Sequence, residues 1–372
     1  MTDFIPVNEP LLDGNERKYI DECLDTGWIS SEGPFVNKFE TQFAQRVGRR
    51  YGVAVANGSV ALDAAVAALG LQDGDEVILP TFTIISCAAA IVRAGATPVV
   101  VDCDAQTWNM DINQIEGKIS PRTKAIMVVH IYGLPVDIKP ILELAEKYGL
   151  RVIEDAAEMI GQTYRGDACG SFGDISTFSF YPNKHITTGE GGMIVTNSRD
   201  LAEKCRSLRN LCFQAEKRFV HEELGWNFRM GNLQAALGLA QLERLDAHIA
   251  RKRAIGEQYN RMLKQLSGLQ TPLVSTDYAE NIYWVYGLVL DDLLPYDAAT
   301  AMQRLIERKI GVRPFFFPMH EQPVFRKMGL FADETYPAAE RLARRGFYIP
   351  SGLALTDEQI QRTVEAIKNI LT

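Results

Sequence analysis

Four places in this 372-residue chain combine the end of a short apolar run with a residue that could take part in chemistry. RVIED ends in Asp155, VAVANGS leads into Gly58 and Ser59, and ISTFSF carries Ser179, with Lys184 five residues further on. Each has an ordinary alternative, since an aspartate after a strand often caps a helix and most lysines are solvated charges. In open α/β sheets, however, ligands collect at the carboxyl ends of the strands. We therefore expect these residues to share one site.

Together these residue types match the needs of pyridoxal phosphate. The ring nitrogen of that cofactor stays protonated beside an anion, which is the role expected of Asp155. Its aldehyde needs an amine whose pKa is lowered by burial or by nearby positive charge, and Lys184 is the candidate. Its phosphate needs small donors, which the N–H groups of a helix start at Gly58-Ser59 and the Ser179 hydroxyl would supply. The residues predict a pyridoxal-phosphate enzyme in which Lys184 and Asp155 are catalytic.

The elements around these residues predict an α/β fold. From residue 51 to about residue 155, β-branched runs alternate with helical patterns, in YGVAVA, EVILP, TPVVVD, AIMVVH and RVIED. This alternation predicts a largely parallel sheet with helical crossovers. The runs ISTFSF and GGMIVT follow too closely for a helical crossover, so at least one of them should be antiparallel. The expected sheet is mixed and mostly parallel.

The length of the chain predicts two domains, because it exceeds one compact core of common size. We expect a large cofactor-binding domain over residues 12–245 and a smaller α+β domain over residues 246–372, with residues 1–11 as an N-terminal extension. A helical pattern from about Met230 to Leu263 should join the two domains. Beyond it, YWVYGLVLD and IGVRPFFFP predict strands, and AATAMQRLIERK and DEQIQRTVEAIKNIL predict helices.

Composition excludes several classes of function. A net charge of -8 argues against a nucleic-acid partner, which would need a basic surface. No apolar run approaches the roughly 20 residues that cross a bilayer, and the first twenty residues lack the apolar core of an export signal. The six cysteines are scattered without a two-residue spacing, which predicts buried thiols and no metal site. A cytoplasmic protein is expected.

The run TFSFYPNKHITTGEGGMIVT, with EDAAE upstream and GWNFRMGNLQAALGLAQLERL downstream, resembles the DegT/DnrJ/EryC1/StrS family of sugar-nucleotide aminotransferases. The similarity covers nearly the whole chain, through LDGNERKYIDECLDTGWISSEGPFVNKFE, ANGSVAL, GDEVILPTFT, GATPVVVD, HIYG and RPFFFPMH. The resemblance implies the aspartate aminotransferase-like fold of fold type I pyridoxal-phosphate enzymes, with a seven-stranded sheet.

The resemblance also implies roles for individual residues. Lys184 would be the Schiff-base lysine and proton shuttle, Asp155 would pair with the pyridinium nitrogen, and the phosphate donors would be those named above. Glu158 matches the position of a polar partner for the ring hydroxyl. In family dimers the loop matching GWNFRM reaches the neighbouring active site. A homodimer with shared active sites is therefore implied, with Asn227 contacting the cofactor phosphate of the other subunit.

One position departs from the family pattern. Many relatives place an aromatic residue, which stacks on the pyridine ring, four residues after the proline of LPTFTIIS, and that position here is Ile84. Phe82 is an alternative stacking residue, although an aromatic beside a strand end usually enters the core. Some relatives replace the lysine by histidine and act as dehydratases. Here Lys184 keeps the matching position and a histidine follows it, which favours transamination.

The loop ITTGEGG resembles that of members which aminate C4, rather than C3, of a 4-keto-6-deoxy sugar. The expected substrate is GDP-4-keto-6-deoxymannose and the expected amino donor is L-glutamate, with a UDP- or dTDP-linked ketosugar as the alternative. By resemblance, the substrate cleft would be lined by Trp28, Ser30, Ser31, Arg313, His320 and His185. Packing is the alternative for Trp28 and His320, and a surface ion pair is the alternative for Arg313.

Other activities fit the sequence less well. A dinucleotide oxidoreductase would share the doubly wound fold, but VAVANGSVAL lacks the three-glycine phosphate loop. A regulatory or dehydratase relative would keep the fold without transamination, and a decarboxylase or aldolase is less favoured still. The sequence therefore predicts a pyridoxal-phosphate-dependent sugar-nucleotide aminotransferase.

Overall fold

The computed structural model describes residues 4–371. Two helices, α1 (Glu16–Thr26) and α2 (Pro34–Arg46), precede the first strand. Helix α1 ends at Gly27, whose φ of 73° is the left-handed conformation that glycine adopts without steric cost. Phenylalanines spaced by four residues line one face of α2, and Phe43 packs edge-on against Phe178 and Phe180 beneath the main sheet. This pair of helices therefore covers one face of the large domain.

A seven-stranded sheet forms the centre of the large domain. Its strands are β1 (Tyr51–Val55), β2 (Glu76–Pro80), β3 (Thr97–Val101), β4 (Thr123–Val129), β5 (Arg151–Asp155), β6 (Ile175–Ser179) and β7 (Gly192–Thr196). Their order is β1-β7-β6-β5-β4-β2-β3. Strand β7 is antiparallel to both of its neighbours, whereas the remaining pairs are parallel. The predicted mixed, mostly parallel sheet is confirmed, and GGMIVT is its antiparallel strand.

Helices cover both faces of this sheet. They are α3 (Gly58–Ala68), α4 (Ile85–Arg93), α5 (Ile138–Tyr148) and α6 (Arg199–Arg209). Successive strand residues fall into two separate apolar clusters, with Val53 and Val77 in one and Ala54 and Ile78 in the other. Because both faces are buried, the strands read as continuous apolar runs rather than as alternating patterns.

The predicted helix from Met230 to Leu263 is two helices, α7 (Asn232–Glu243) and α8 (Leu245–Leu263). They meet at Arg244, whose φ of -101° and ψ of 0° break the helical path. The break allows α7 to pack on α1 and α2 while α8 packs on the small domain. The predicted domain boundary between residues 245 and 246 lies at the start of α8.

The small domain contains a four-stranded antiparallel sheet. Its strands are β8 (Leu269–Gln270), β9 (Tyr286–Leu290), β10 (Arg313–Pro314) and β11 (Gly346–Ile349), in the order β8-β9-β11-β10. Its helices are α9 (Ala298–Glu307), α10 (Pro323–Lys327), α11 (Pro337–Arg345) and α12 (Asp357–Leu371). The strand expected in IGVRPFFFP is only two residues long, because Pro314 has no N–H to continue the ladder.

Candidate active site

A cavity of about 730 Å³ lies at the carboxyl ends of strands β1, β5 and β6. Its lining includes six of the eight residues that the sequence assigned to the cofactor: Gly58, Ser59, Asp155, Glu158, Ser179 and Lys184. These residues are spread over more than 120 positions of the chain and are united only by the fold. The predicted convergence of an amine, a carboxylate and a helix start is therefore present in the structure.

Asp155 is a buried carboxylate at the last residue of β5. The amide of Ala157 donates to Oδ1 at 3.0 Å, and the thiol of Cys87 donates to Oδ2 at 3.2 Å. Burial raises the pKa of Asp155, while these two donors and the positive charge of Lys184 act in the opposite direction. No salt bridge joins Asp155 to a cation within residues 4–371. A buried carboxylate of this kind is most stable beside a cationic N–H group.

Lys184 lies in the turn that follows β6, where its amide donates to the Tyr181 carbonyl at 2.9 Å. Its side chain is 9% exposed, and Nζ lies 4.0 Å from Glu158 Oε1. Burial lowers the pKa of Lys184, whereas the charges of Glu158 and Asp155 raise it. A lysine with a lowered pKa has more of the neutral amine that attacks a carbonyl carbon.

Glu158 is the acidic neighbour of that amine. Its Oε2 accepts a hydrogen bond of 2.6 Å from the amide of Tyr132. Burial raises the pKa of Glu158 to about 8, opposed by Lys184 and by the Tyr132 amide. The side chain can therefore hold a proton near neutral pH, or accept one from the amine beside it.

An anion cradle lies at the first turn of α3. Asn57 caps this helix, with Oδ1 accepting from the Val60 amide at 3.0 Å. A Cβ atom at Gly58 would lie 2.6 Å from Cβ of Ser179, so only glycine fits between the helix and β6. The Ser59 hydroxyl, which is hydrogen-bonded to Ser86 Oγ at 2.8 Å, lines the cavity at the same helix start. Free N–H groups and the helix dipole favour an anion there.

The cavity fits pyridoxal phosphate in its donor chemistry. Besides the amine, the carboxylate and the helix start, two buried cavity-lining atoms have no hydrogen-bond partner in the described part of the chain, Thr177 Oγ1 and Asn183 Oδ1. Buried polar atoms are nearly always paired, so atoms like these are typical of a ligand site.

The structure corrects the assignment of Phe82 to the cofactor. Phe82 is fully buried and packs against the rings of Tyr132 and Phe315, with centroids 6.0 Å apart in each pair. It does not line the cavity, because the chain leaving β2 turns this ring into the core. The side chain of Ile84 does line the cavity. The expected ring-stacking position therefore carries an aliphatic side chain.

His185 is also misplaced by the sequence-based assignment to the substrate cleft. It is fully buried, and its Nε2 lies 3.5 Å from the Ile282 carbonyl. It faces away from the cavity that its neighbour Lys184 lines, and burial lowers its pKa well below the ordinary value. A neutral packed histidine is the correct description.

His320 is a packed loop histidine, as in the alternative left open above. Its Nδ1 is hydrogen-bonded to Thr81 Oγ1 at 2.8 Å and its Nε2 to Glu340 Oε1 at 3.1 Å. Both ring nitrogens of His320 are hydrogen-bonded to other residues of the chain, and the side chain does not line the cavity. The prediction that His320 lines the substrate cleft is therefore wrong for this chain.

Arg313 lies outside the cavity lining but next to it. It is exposed on β10 and is paired in register with Tyr348, whose side chain lines the cavity. No ion pair involves Arg313 among residues 4–371, which removes the surface-ion-pair alternative for this structure.

Ser30 and Ser31 line a second cavity of about 560 Å³, separate from that of Lys184. Four arginines share this second cavity: Arg206, Arg209, Arg218 and Arg229. Asn227 is exposed beside it, bridged to Asn210 of its lining. Trp28 is 50% exposed, and its carbonyl accepts from Asn232 Nδ2 at 2.6 Å. Within one chain, none of these four predicted residues reaches the Lys184 cavity.

Sequence reasoning missed Trp284 and Cys87. The ring of Trp284 lies under the Lys184 amine, with Nζ 3.7 Å from the ring centroid. Trp284 is 100 residues from Lys184 in a segment interpreted only as a strand, and no local signal marks it. Cys87 contacts Asp155 from the first turn of α4, and its place one turn after LPTFT is the only hint in the sequence.

The fold and the site define a fold type I pyridoxal-phosphate aminotransferase. More specifically, the chain belongs to the DegT/DnrJ/EryC1/StrS aminotransferase family, whose model matches residues 10–368. Pyridoxal phosphate is the cofactor of this family, and the predicted fold, family and cofactor are confirmed.

Two curated relatives are similar over nearly their whole length. GDP-perosamine synthase of Vibrio cholerae is 42% identical over 367 residues, covering 98% of each chain. GDP-perosamine synthase of Caulobacter vibrioides is 44% identical, covering 99% of this chain and 98% of the relative. The runs TGWISSEGPFVNKFE, TTGEGGMIVT and RPFFFPMHEQP of this chain also resemble GDP-perosamine synthase.

Solved structures agree with this assignment. The aminotransferase TlmJ from Streptoalloteichus hindustanus superposes with a TM-score of 0.91 at 30% identity, covering 98% of both chains. DesI, solved in the presence of its TDP-sugar product, has a TM-score of 0.89 at 29% identity, covering all of this chain and 94% of DesI. In the part of the chain that the structure describes, no helix is both long and apolar enough to span a membrane.

Proposed function

We propose that this chain transfers the amino group of L-glutamate to C4 of GDP-4-keto-6-deoxymannose, which yields GDP-perosamine and 2-oxoglutarate. The observation that carries the proposal is the convergence of Lys184, Asp155 and the Gly58 helix start in one cavity. The choice of sugar nucleotide is supported by 42–44% identity to GDP-perosamine synthases over nearly the full length.

Two residues would carry the proton chemistry. When bound, pyridoxal phosphate supplies an aldehyde carbon and a ring that withdraws electrons while its nitrogen is protonated. The buried Asp155 carboxylate keeps that proton in place, because a cationic N–H group beside it stabilises the charge of a buried carboxylate. The Lys184 amine removes the α-proton of glutamate and, in the second half of the reaction, delivers a proton to C4 of the sugar. Because the pKa of Lys184 is lowered, its amine can both accept a proton from glutamate and donate one to the sugar.

The remaining residues of the cavity would position the reactants. The amides of Gly58 and Ser59 and the Ser179 hydroxyl would hold the cofactor phosphate, and Glu158 would contact the ring hydroxyl. Arg313 would bind the diphosphate of the sugar nucleotide, because a guanidinium without an acidic partner matches phosphate oxygens in a fork.

The proposed working form is a homodimer with shared active sites. Large apolar side chains are exposed in the segment before Asn227, with Phe219 at 81% and Leu224 at 92% exposure, and Trp28 at 50% belongs to a neighbouring segment. Exposed apolar surface of this kind is typical of a protein interface. In such a dimer, Asn227 of one subunit would contact the cofactor phosphate in the other. The cytoplasm is the proposed location, because there the six free, buried cysteines stay reduced.

Mixing two inactive variants tests the shared site. Lys184→Ala and Asn227→Asp chains are each expected to be nearly inactive. In a mixed dimer, one site combines the intact Lys184 of one chain with the intact Asn227 of the other. After denaturation and refolding together, activity should return to about one quarter of wild type, since half of the dimers are mixed and each carries one intact site of two. No recovery would contradict the shared site.

A substrate comparison tests the function itself. GDP-, UDP- and dTDP-4-keto-6-deoxyhexoses are supplied in parallel with L-glutamate, and 2-oxoglutarate release is followed. The GDP-linked sugar should show a kcat/KM at least about tenfold higher than the other two, equivalent to about 1.4 kcal/mol of discrimination. Faster turnover of another nucleotide would reassign the substrate, and sugar conversion without glutamate would indicate a dehydratase.

A further inference from the structure

Trp284 contacts the Lys184 loop in two ways. Its ring lies 3.7 Å from Lys184 Nζ, measured to the centroid, which is within the range of a cation–π interaction. Its indole N–H donates to the carbonyl of Asn183, the residue before Lys184, at 2.9 Å. Trp284 is 4% exposed and belongs to the segment that leads into β9 of the small domain. One side chain therefore holds both the amine and the backbone beside it.

The backbone of Trp284 is fixed in turn by Lys252 of α8. Lys252 is 2% exposed, and its Nζ donates to the Trp284 carbonyl at 2.8 Å and to the Ser351 carbonyl at 2.7 Å. No carboxylate pairs with Lys252 in the described part of the chain. Among residues 4–371 its hydrogen-bond partners are these two carbonyls; the two bonds offset part of the cost of burying the amine and fix the backbone of Trp284.

We propose that Trp284 is a positioning residue for the reaction: its ring holds the Lys184 amine in the cavity and stabilises its protonated form whenever that amine is not bound to cofactor. The proposal rests on the proposed role of Lys184. It matters because the Lys184 amine, once glutamate has displaced it, stays free until the aminated product leaves, and must remain within reach of the carbon it protonates. A free lysine side chain otherwise loses rotamer entropy whenever it is brought into position.

Four titratable groups act on the Lys184 amine besides the ring. Burial lowers the pKa of Lys184, and the charges of Glu158 and Asp155 oppose that shift by favouring the charged amine. Besides burial, the charge of Lys184 lowers the pKa of Lys252 and of His185. The Trp284 ring acts in the same direction as the two carboxylates, so its removal should lower the pKa of Lys184 further.

The test measures the pKa of Lys184 directly in the cofactor-free full chain. The chain is labelled with acetic anhydride at a series of pH values, and acetylation of the Lys184 peptide is quantified by mass spectrometry. In Trp284→Leu the pKa of Lys184 should fall by about one unit, because a desolvated cation–π contact has about that strength. Trp108→Leu is the matched control, since Trp108 is equally buried but has no contact with Lys184. It should leave this pKa unchanged.

An unchanged pKa in Trp284→Leu, or an equal fall in Trp108→Leu, would overturn the proposal. If Trp284→Leu does not fold, the comparison is made with Trp284→Phe, whose ring is the weaker cation-binding face. A fall of about half a unit is then expected, and no fall overturns the proposal. The role of Lys184 itself is checked separately in the wild type, by borohydride reduction of the cofactor-loaded protein. Absence of cofactor on Lys184 there would refute the proposed function rather than the role of Trp284.

Discussion

The two cavities that hold the predicted site residues are built from different kinds of residue. The Lys184 cavity is lined by buried ionisable groups that have few partners of opposite charge within the chain. The second cavity is lined by arginines that are already partnered: Arg209 by Glu40, Arg206 by the Gly52 carbonyl and Arg229 by Asn210. The buried ionisable groups of the Lys184 cavity lower the stability of the fold unless a bound ligand pairs with them. The arginines of the second cavity already have partners without a ligand. This difference places the chemistry in the first cavity.

The largest effect is expected from Asp155→Asn. Loss of the anion beside the ring nitrogen should reduce kcat by about 10³-fold, equivalent to about 4 kcal/mol of barrier. Steady-state kinetics with glutamate measure this change. Cys87→Ala serves as the control, because it removes a donor to the same carboxylate but leaves its charge, and it should cost less than about tenfold. Similar kinetics for Asp155→Asn and the wild type would remove Asp155 from the mechanism.

The next effect concerns the anion cradle. Gly58→Val should weaken cofactor binding by at least about 100-fold, because its Cβ would lie 2.6 Å from Cβ of Ser179 and force α3 away from β6. Gly117→Ala is the matched control, since a Cβ there meets nothing within 4 Å. Titration of each variant with pyridoxal phosphate, followed by its visible absorption, measures the dissociation constants. Equal affinity in both variants would show that the helix start does not hold the phosphate.

Glu158→Gln should change how stability depends on pH. The pKa of Glu158 is raised by burial from 4.5 to about 8, so the folded chain binds this proton more tightly than the unfolded chain. The stabilising contribution is complete below about pH 4.5 and is lost as the pH rises to about 8. The variant lacks this loss, so its stability relative to wild type should rise over that range by on the order of 5 kcal/mol. Urea unfolding of the cofactor-free chains between pH 5 and 9 would show it, and parallel curves would contradict it.

The smallest effect is expected in the second cavity. Arg218→Ala removes an arginine that lines it and that lies over the ring of Phe213. Because Arg218 is not among the residues proposed to contact cofactor or substrate in either subunit, kcat and the KM for glutamate should change by less than about threefold. A loss comparable to that of Asp155→Asn would mean that the contrast between the two cavities is mistaken.

The sequence predicted those parts of the site that follow from strand ends. Gly58, Asp155, Ser179 and Lys184 each follow or end a buried strand, and parallel strands bring their carboxyl ends to one edge. Phe82 and His185 were misplaced because periodicity does not show to which side a loop residue turns beyond a strand. Both are one or two residues from cavity-lining positions, yet they are fully buried.

Contacts between the domains were beyond prediction for a different reason. Trp284 and Lys252 approach the Lys184 loop from the small domain and from α8, and their placement depends on how the domains pack. The break at Arg244 was missed likewise, because the apolar pattern continues through it and only tertiary packing divides α7 from α8. No local sequence pattern indicates the placement of Trp284 and Lys252 or the helix break at Arg244.

The central claim is that the Lys184 amine is the group that binds the cofactor. The most direct measurement is borohydride reduction of the cofactor-loaded chain, followed by digestion and mass spectrometry of every lysine-containing peptide. We expect the phosphopyridoxyl group on Lys184 alone. Its attachment to Lys252, the other buried lysine with a lowered pKa, or to no specific lysine would contradict the account.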